Sequence, residues 1–284
     1  MKALVLTAYN HFEIQDCPRP EPAEDEVLIA VKACGICGSD VHGMDGSTGR
    51  RQPPIIMGHE AAGLVTATGN RVNDYKPGDR VTFDSTVYCG HCFFCRSGRI
   101  NLCDNRRVLG VSCDDYRCNG AFSEYVAVPH HILYRLPDGL SFEHAAMVEP
   151  VSVAVHAVMV TPIALDDTAA VVGVGMIGLL IIQALHNAGC GCIIAVDIDP
   201  RRLELAAMMG ADVMVRADTQ DVPAAVYDYT QGSGADCVFE AVGASGTVNA
   251  AIMSARKGGT VTLVGNLSPT VQLPLQFVVT REIS

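Results

Sequence analysis

The sequence predicts an α/β chain in two parts: a β-rich domain over residues 1–152, followed by a doubly wound parallel sheet over residues 153–284. Three observations carry that prediction. The first half alternates apolar and polar residues in short runs broken by Pro and Gly, as half-buried antiparallel strands do. After about residue 150 the pattern changes to continuous apolar runs alternating with helical stretches, which suits strands covered on both faces by crossover helices. At the first such unit the chain reads AAVVGVGMIGLLIIQALHNAG, where a Gly-x-Gly-x-x-Gly turn joins an apolar strand to an apolar helix.

In chain order, LVL and VLIAVKA within residues 1–33 read as two strands joined by a loop stiffened by Pro18, Pro20 and Pro22. CGICGSDVH follows, with Gly35 and Gly38 bracketing Cys37, and Ser39 and His42 on a loop entering a helical turn. The next segment, PPIIMGHEAAGLVTATG, places His59 and Glu60 side by side. Alone, Cys37 is a small buried hydrophobe, His42 a solvated loop residue and His59 a core histidine. Together, a thiolate from one loop and a His–Glu pair from another are the mixed set expected of a catalytic zinc that keeps one position open.

The loop CGHCFFCRSGRINLC spaces Cys89, Cys92, Cys95 and Cys103 by two, two and seven residues, with Gly90 and Gly98 at the turns. Four thiolates close around one tetrahedral Zn2+ and use every position, so this metal is structural. An iron–sulfur cluster is the rival occupant of such a set. GAFSEYVAVP and HHILYRLPDGLSFEHAA then read as two more strands and a helix starting at Ser141, with Glu143 and His144 in its first turn. His130, His131, His144 and His156 have no ligand partner in sequence and carry no assigned role.

In the second half, Gly173 permits the tight turn, Gly175 lets backbone approach a pyrophosphate, and Gly178 packs helix on strand. Met176 and Ile177, between the last two glycines, belong to the same cofactor loop, and the helix N-terminus faces the phosphates. IIAVDIDPRRLELAAMMGA supplies a second strand ending in Asp197, nineteen residues past Gly178, where a ribose-binding carboxylate belongs. A carboxylate there accepts from the 2′-hydroxyl and repels a 2′-phosphate, which favours NAD over NADP; Arg201 and Arg202 are the contrary feature. VMVRA, ADCVFEAVG and GGTVTLVGN read as the third, fourth and fifth strands.

Composition excludes other classes. A chain of 284 residues, 49% hydrophobic and 18% charged, is globular, and its net charge of −11 argues against nucleic acid or an anionic membrane as partner. The longest apolar run, Ala169 to Ile182, carries three glycines and falls short of the ~20 residues a membrane span needs. Of the twelve cysteines, Cys17, Cys34, Cys113, Cys118, Cys190, Cys192 and Cys237 have no assigned role. The N-terminus MKALVLTAYNHFEI has no cleavage site, so reduced thiols in a cytoplasmic protein are expected.

CGICGSD, GHEAAGLV with the later Gly69, and the four-cysteine loop occur in the order of the zinc-dependent medium-chain alcohol/polyol dehydrogenases. The chain resembles that family over essentially its whole length, and most closely its sorbitol dehydrogenase branch. The resemblance implies a GroES-like catalytic domain followed by a Rossmann domain, with two zinc ions and NAD as cofactors. It implies that Cys37, His59 and a carboxylate hold the catalytic zinc, while Ser39 and His42 relay a proton to solvent. Alcohol dehydrogenases place a second Cys where MVEPVSVAVHA puts Glu149, so Glu60 and Glu149 both stand as candidates for the third ligand. Arg202 matches an arginine that packs against adenine in the family.

The implied activity is oxidation of a secondary alcohol, in a polyol, sugar alcohol or related sugar acid, to a ketone, with plain and phosphorylated substrates both open. Threonine or sugar-phosphate oxidation is the alternative within the family; a non-catalytic zinc- and dinucleotide-binding sensor or fragment is the alternative outside it. Relatives begin a sixth strand where this sequence reads TREIS and then run on, so C-terminal truncation is expected. With it go an uncovered sheet edge, a sticky run VQLPLQFVV and feeble activity. In full-length form the resemblance implies a homo-oligomer, dimer or tetramer.

Overall fold

A computed structural model describes residues 1–113 and 116–284, and the side chain of Cys113 lies outside the described residues. Two compact units divide the chain, residues 1–149 and 150–284.

The first unit is antiparallel and β-rich. Besides two short two-stranded sheets, its strands are β1 (Lys2–Ala8), β2 (His11–Asp16), β3 (Glu26–Gly35), β4 (Ile55–Ile56), β5 (Glu60–Thr68), β6 (Arg80–Phe83), β7 (Tyr125–Pro129) and β8 (Leu133–Arg135). They form a three-stranded sheet, β2-β1-β4, and a five-stranded sheet, β7-β3-β5-β6-β8. Where two strands were expected before residue 35 there are three, because the chain reverses at Tyr9–Asn10 with Asn10 in the left-handed region (φ 59°), pairing HFEIQD back on β1. Alternate residues of the larger sheet, Val27 and Ile29 on β3 and Val126 and Val128 on β7, point into one core with Val65, Val81 and Phe83. Each such side chain contributes about 1.5–3 kcal/mol by burial, so truncating the fully buried Ile29 to Ala should cost ~2–5 kcal/mol.

The β3–β5 ladder ends with Gly35 opposite Glu60. That register brings Cys37, two residues beyond the end of β3, to the same end of the sheet as His59, one residue before β5. Helix α1 (Gly38–Gly43) starts at Cys37, whose backbone N–H donates to Asp40 Oδ2 at 3.2 Å, an N-terminal cap supplied from the first turn. Further along, α2 (Phe93–Arg96) lies within the cysteine loop, and Ser141 caps α3 (Phe142–Ala146) as its sequence suggests. Glu149 sits in the first turn of α4 (Val148–Val160), the helix that contains the boundary between the units.

In the second unit, β9 (Thr168–Val172), β10 (Cys192–Asp197), β11 (Val213–Arg216), β12 (Ala235–Glu240) and β13 (Ala255–Leu263) form a parallel sheet in the order β11-β10-β9-β12-β13. Its two faces feed separate cores. Ala169, Val171, Ile193, Ala195 and Phe239 meet α5 (Met176–Ala188) and α6 (Pro200–Met208) through Ile181, Leu185 and Leu203. Their alternates Ala170, Val172, Ile194, Val196 and Val238 meet α7 (Val222–Tyr229) and α8 (Ser245–Ser254) through Val226, Val248 and Ile252. Continuous apolar strands are therefore a consequence of burial on both sides. Among the described residues no helix is long and apolar enough to cross a membrane.

The last segment departs from expectation. VQLPLQFVV contains a helix, α9 (Leu275–Thr280), which returns the chain to the outer edge of β13. There the Ser284 N–H donates to the Gly259 carbonyl at 3.0 Å and the Val261 N–H donates to the Ser284 carbonyl at 2.8 Å, the hydrogen-bond pattern of a parallel ladder. The edge expected to lie bare is met at these positions, and Ile283 is buried in the core beside it.

Candidate functional site

Two clusters of metal-ligating side chains form among the described residues: Cys89, Cys92, Cys95 and Cys103 in one, and Cys37, His59 and Glu60 in the other. In each, the ligand atoms all lie within 4.8 Å of one another. For Cys89, Cys92, Cys95 and Cys103 this suits a tetrahedron with Zn–S bonds of about 2.3 Å, whose edges are about 3.8 Å. The short helix α2 makes the knot: Cys92 caps it and accepts from the Cys95 N–H, while Cys103 accepts from the Cys89 N–H at 3.3 Å. Backbone N–H donation from His91, with the Asn105 amide, pulls the Cys89 thiol down to about 5, whereas burial pushes Cys95 up to about 12.

The second cluster joins Cys37, His59 and Glu60. Glu60 is 1% exposed. A Cβ on Gly35 would stand 2.3 Å from Glu60 Oε2, so glycine at the end of β3 is what leaves the carboxylate its place. Among the described residues, four of the five buried side-chain polar atoms without a hydrogen-bond partner belong here: Glu60 Oε1 and Oε2, His59 Nδ1 and Arg51 Nε. Buried polar groups without partners are rare and costly, and a buried carboxylate with an oxygen within 4.8 Å of a thiol sulfur and an imidazole nitrogen fits a divalent cation.

The charges around the cluster are interdependent. Burial opposes an imidazolium at His59, but Asp40 and Cys37 outweigh it and raise the ring to about 10. Burial likewise opposes ionisation of Asp40, yet His59, Arg51 and the Cys37 N–H hold its carboxyl below the usual range. For Glu60 burial wins and raises the carboxyl, against pulls from Cys37 and His59. Glu149 is also raised by burial; its Oε1 accepts from the buried Ser85 hydroxyl at 3.1 Å, and the His59 charge reaches it. The structure thus places Glu60 with Cys37 and His59, and Glu149 outside that set but near enough for its charge to act on Glu60.

Ser39 Oγ lies 3.4 Å from His59 Nε2, and His42 is exposed three residues further along α1, on the same helical face. Sequence reasoning missed Asp40, Arg51 and Ser85. Asp40 lies inside the CGSD stretch, where its spacing from Cys37 is the available signal. Nothing in the sequence marks Arg51 or Ser85 as buried.

In the second unit the glycine turn is laid out as its spacing suggests. A Cβ on Gly178 would stand 2.1 Å from the Gly173 carbonyl oxygen, whereas one on Gly175 meets nothing within 4 Å. The first fact locks helix to strand, and the second leaves open approach at the N-terminus of α5, which Gly175 caps without a side chain. Met176 and Ile177 form the first turn of that helix, half-buried. Asp197 ends β10, 6% exposed: Oδ2 accepts from the Val174 N–H and Oδ1 from the Asp199 N–H, each at 2.9 Å, and Arg202 Nη1 stands 3.7 Å from Oδ2.

Comparison with known proteins identifies the family. The model of an alcohol dehydrogenase GroES-like domain matches residues 23–138, and that of a zinc-binding dehydrogenase matches residues 176–284. A sorbitol dehydrogenase of Bacillus subtilis (strain 168) is 37% identical over 287 residues, 100% of this chain and 80% of its own length. A D-arabitol-phosphate dehydrogenase of Enterococcus avium is 37% identical over 279 residues, 97% of this chain and 78% of its own. Among solved structures, a Sinorhizobium meliloti 1021 protein assigned to the zinc-binding dehydrogenases and crystallised with NADP gives a TM-score of 0.91 at 34% identity, covering 99% of this chain and 82% of that one. With family models across both units and relatives this similar over nearly the whole sequence, the chain belongs to the zinc-dependent medium-chain alcohol and polyol dehydrogenases.

Proposed function

We propose that the protein oxidises a secondary alcohol of a polyol, sugar alcohol or related sugar acid to a ketone with NAD+, using one zinc at Cys37, His59 and Glu60 and a second, structural zinc at the four cysteines. The observation that carries the reading is the buried Glu60 carboxylate, partnerless beside a thiol and an imidazole. When bound, the metal supplies polarisation of the alcohol oxygen and the nicotinamide supplies the hydride acceptor. The chain's own residues do the rest. Ser39, within 3.4 Å of the His59 ring, relays the alcohol proton, accepting it as its own hydroxyl proton passes onward, and His42 gives a proton to solvent from the exposed side of α1. Ser85 fixes Glu149 as a second carboxylate near Glu60, and the burial of Asp40, His59 and Glu60 keeps bulk water from weakening the charges there. In the second unit Gly175 leaves the α5 N-terminus open to the pyrophosphate, and Asp197 accepts from the ribose; that carboxylate supports NAD over NADP.

Curated relatives named for plain and for phosphorylated polyols both match, so the decisive assay offers both. Purified protein with two zinc ions per chain should reduce NAD+ in the presence of at least one such alcohol, and a mild chelator should abolish this while removing one ion. A protein that holds both ions and binds NAD but turns over none of the panel is a binder or sensor. Exposed Leu263, Leu267, Leu275 and Val279 near the end of the chain support a homo-oligomer, and the twelve thiols support a cytoplasmic setting.

A further inference from the structure

We infer that Arg51 is a positioning residue of the metal cluster: its guanidinium holds Asp40 behind His59, so that the ring turns its Nε2 toward the ligand set. The inference rests on the assignment of Cys37, His59 and Glu60 as a metal site.

Arg51 lies in the loop between α1 and β4, where a long charged side chain would ordinarily extend into water, yet it is 3% exposed, as is Asp40. Its stem passes over Gly43, where a Cβ would stand 2.8 Å from Arg51 Cγ. Inside, Nη2 reaches Asp40 Oδ1 at 3.4 Å, Nη1 donates to the Arg50 carbonyl at 3.3 Å, and Nε has no partner. Asp40 in turn touches both ligand-bearing loops. Its Oδ2 accepts from the Cys37 N–H at 3.2 Å, and its Oδ1 stands 3.5 Å from His59 Nδ1.

A carboxylate beside Nδ1 keeps that nitrogen turned toward Asp40 and leaves Nε2, which faces Ser39, as the nitrogen a metal would take in place of a proton. That carboxylate must itself be held. Asp40, Glu60 and Glu149 repel one another within the unit, and Arg51 is the permanent cation beside them. Without it Asp40 keeps only a backbone donor and a histidine whose lone pair the metal requires. Arg51 touches no ligand; it acts through Asp40.

The test compares wild type, Arg51→Met, Arg51→Lys, Asp40→Asn and the Arg51→Met/Asp40→Asn double variant for affinity of the labile zinc by chelator competition, for the visible spectrum of the cobalt-substituted site, and for thermal midpoint. Arg51→Met should loosen that zinc by about 10–100-fold and shift the cobalt spectrum, with the four-cysteine zinc retained. Arg51→Lys should recover part of the loss, and the double variant should bind no more weakly than Asp40→Asn, because the two residues work in series. Affinity unchanged within about twofold in Arg51→Met, or losses that add in the double variant, overturns the inference. If Arg51→Met does not fold, Arg51→Lys decides: several-fold weaker zinc supports the inference and wild-type affinity overturns it. A wild-type protein that binds one zinc in total refutes the underlying metal assignment instead, so the two failures are distinguishable.

Discussion

On the proposed function, Asp197 joins cofactor choice to the stability of the glycine turn, and its removal should be read in both. The carboxylate is buried and accepts from the Val174 and Asp199 backbone N–H groups, at 2.9 Å each. Asp197→Ala orphans both donors at about 1–3 kcal/mol apiece, so the apo protein should lose roughly 2–6 kcal/mol. At about 2–4 °C per kcal/mol the melting midpoint should fall by roughly 5–20 °C. Asp197→Asn keeps one acceptor oxygen and should lose about half as much. It also removes the charge that repels a 2′-phosphate and weakens the bond to ribose; with charged hydrogen bonds worth about 1.5–3 kcal/mol, the NAD/NADP affinity ratio should fall by at least tenfold. Calorimetric melts of the apo variants and titrations with both dinucleotides separate the two effects. An Asp197→Ala protein that melts with the wild type, or an Asp197→Asn protein whose affinity ratio stays within about twofold, would refute the reasoning.

The two zinc ions should differ in lability, because four thiolates close one site whereas the other keeps an open position; metal analysis during graded chelation should show one ion leaving well before the second. Cys103→Ser removes the buried thiolate of the knot and should expose the loop around residues 89–103 to protease and lower the thermal midpoint, since the binding energy of a structural zinc is folding energy. Lost turnover at unchanged stability would count against that assignment. Gly178→Ala forces a methyl to 2.1 Å from the Gly173 oxygen, so helix and glycine turn must separate. NAD affinity should drop more than tenfold with about 1–3 kcal/mol of stability, and tight NAD binding in that variant would contradict the packing role.

Both ligand clusters could be read in the sequence because their information is local. Cys89 to Cys103 fold around one point whatever surrounds them, and Cys37, His59 and Glu60 carry their chemistry in their identity. The glycine turn and Asp197 were legible for the same reason: each residue answers a backbone requirement that no other residue type meets as well. What the sequence withheld is burial and register. Arg51 reads as an ordinary surface arginine until the path over Gly43 is known. The choice between Glu60 and Glu149 beside Cys37 depends on the Gly35–Glu60 pairing, a contact across 25 residues. The helix in VQLPLQFVV is hidden in sequence because alternation and helical spacing are ambiguous over so few residues, and the ladder contact of Ser284 depends on β13 being there to receive it.

The pairing of Gly35 with Glu60 also bears on timing. The ligands of the open cluster are gathered by the closing of a long-range antiparallel ladder, a late and cooperative event that the hydrophobic sheet drives without any ion. The cysteine loop has one four-residue helix and a three-residue turn of 3-10 helix, too little regular structure to settle before its ion arrives. A newly made chain short of zinc would therefore finish the sheet core and leave the loop unravelled. Scarcity would be felt first as protease sensitivity at one lobe, and only afterwards as an empty but well-shaped reaction centre.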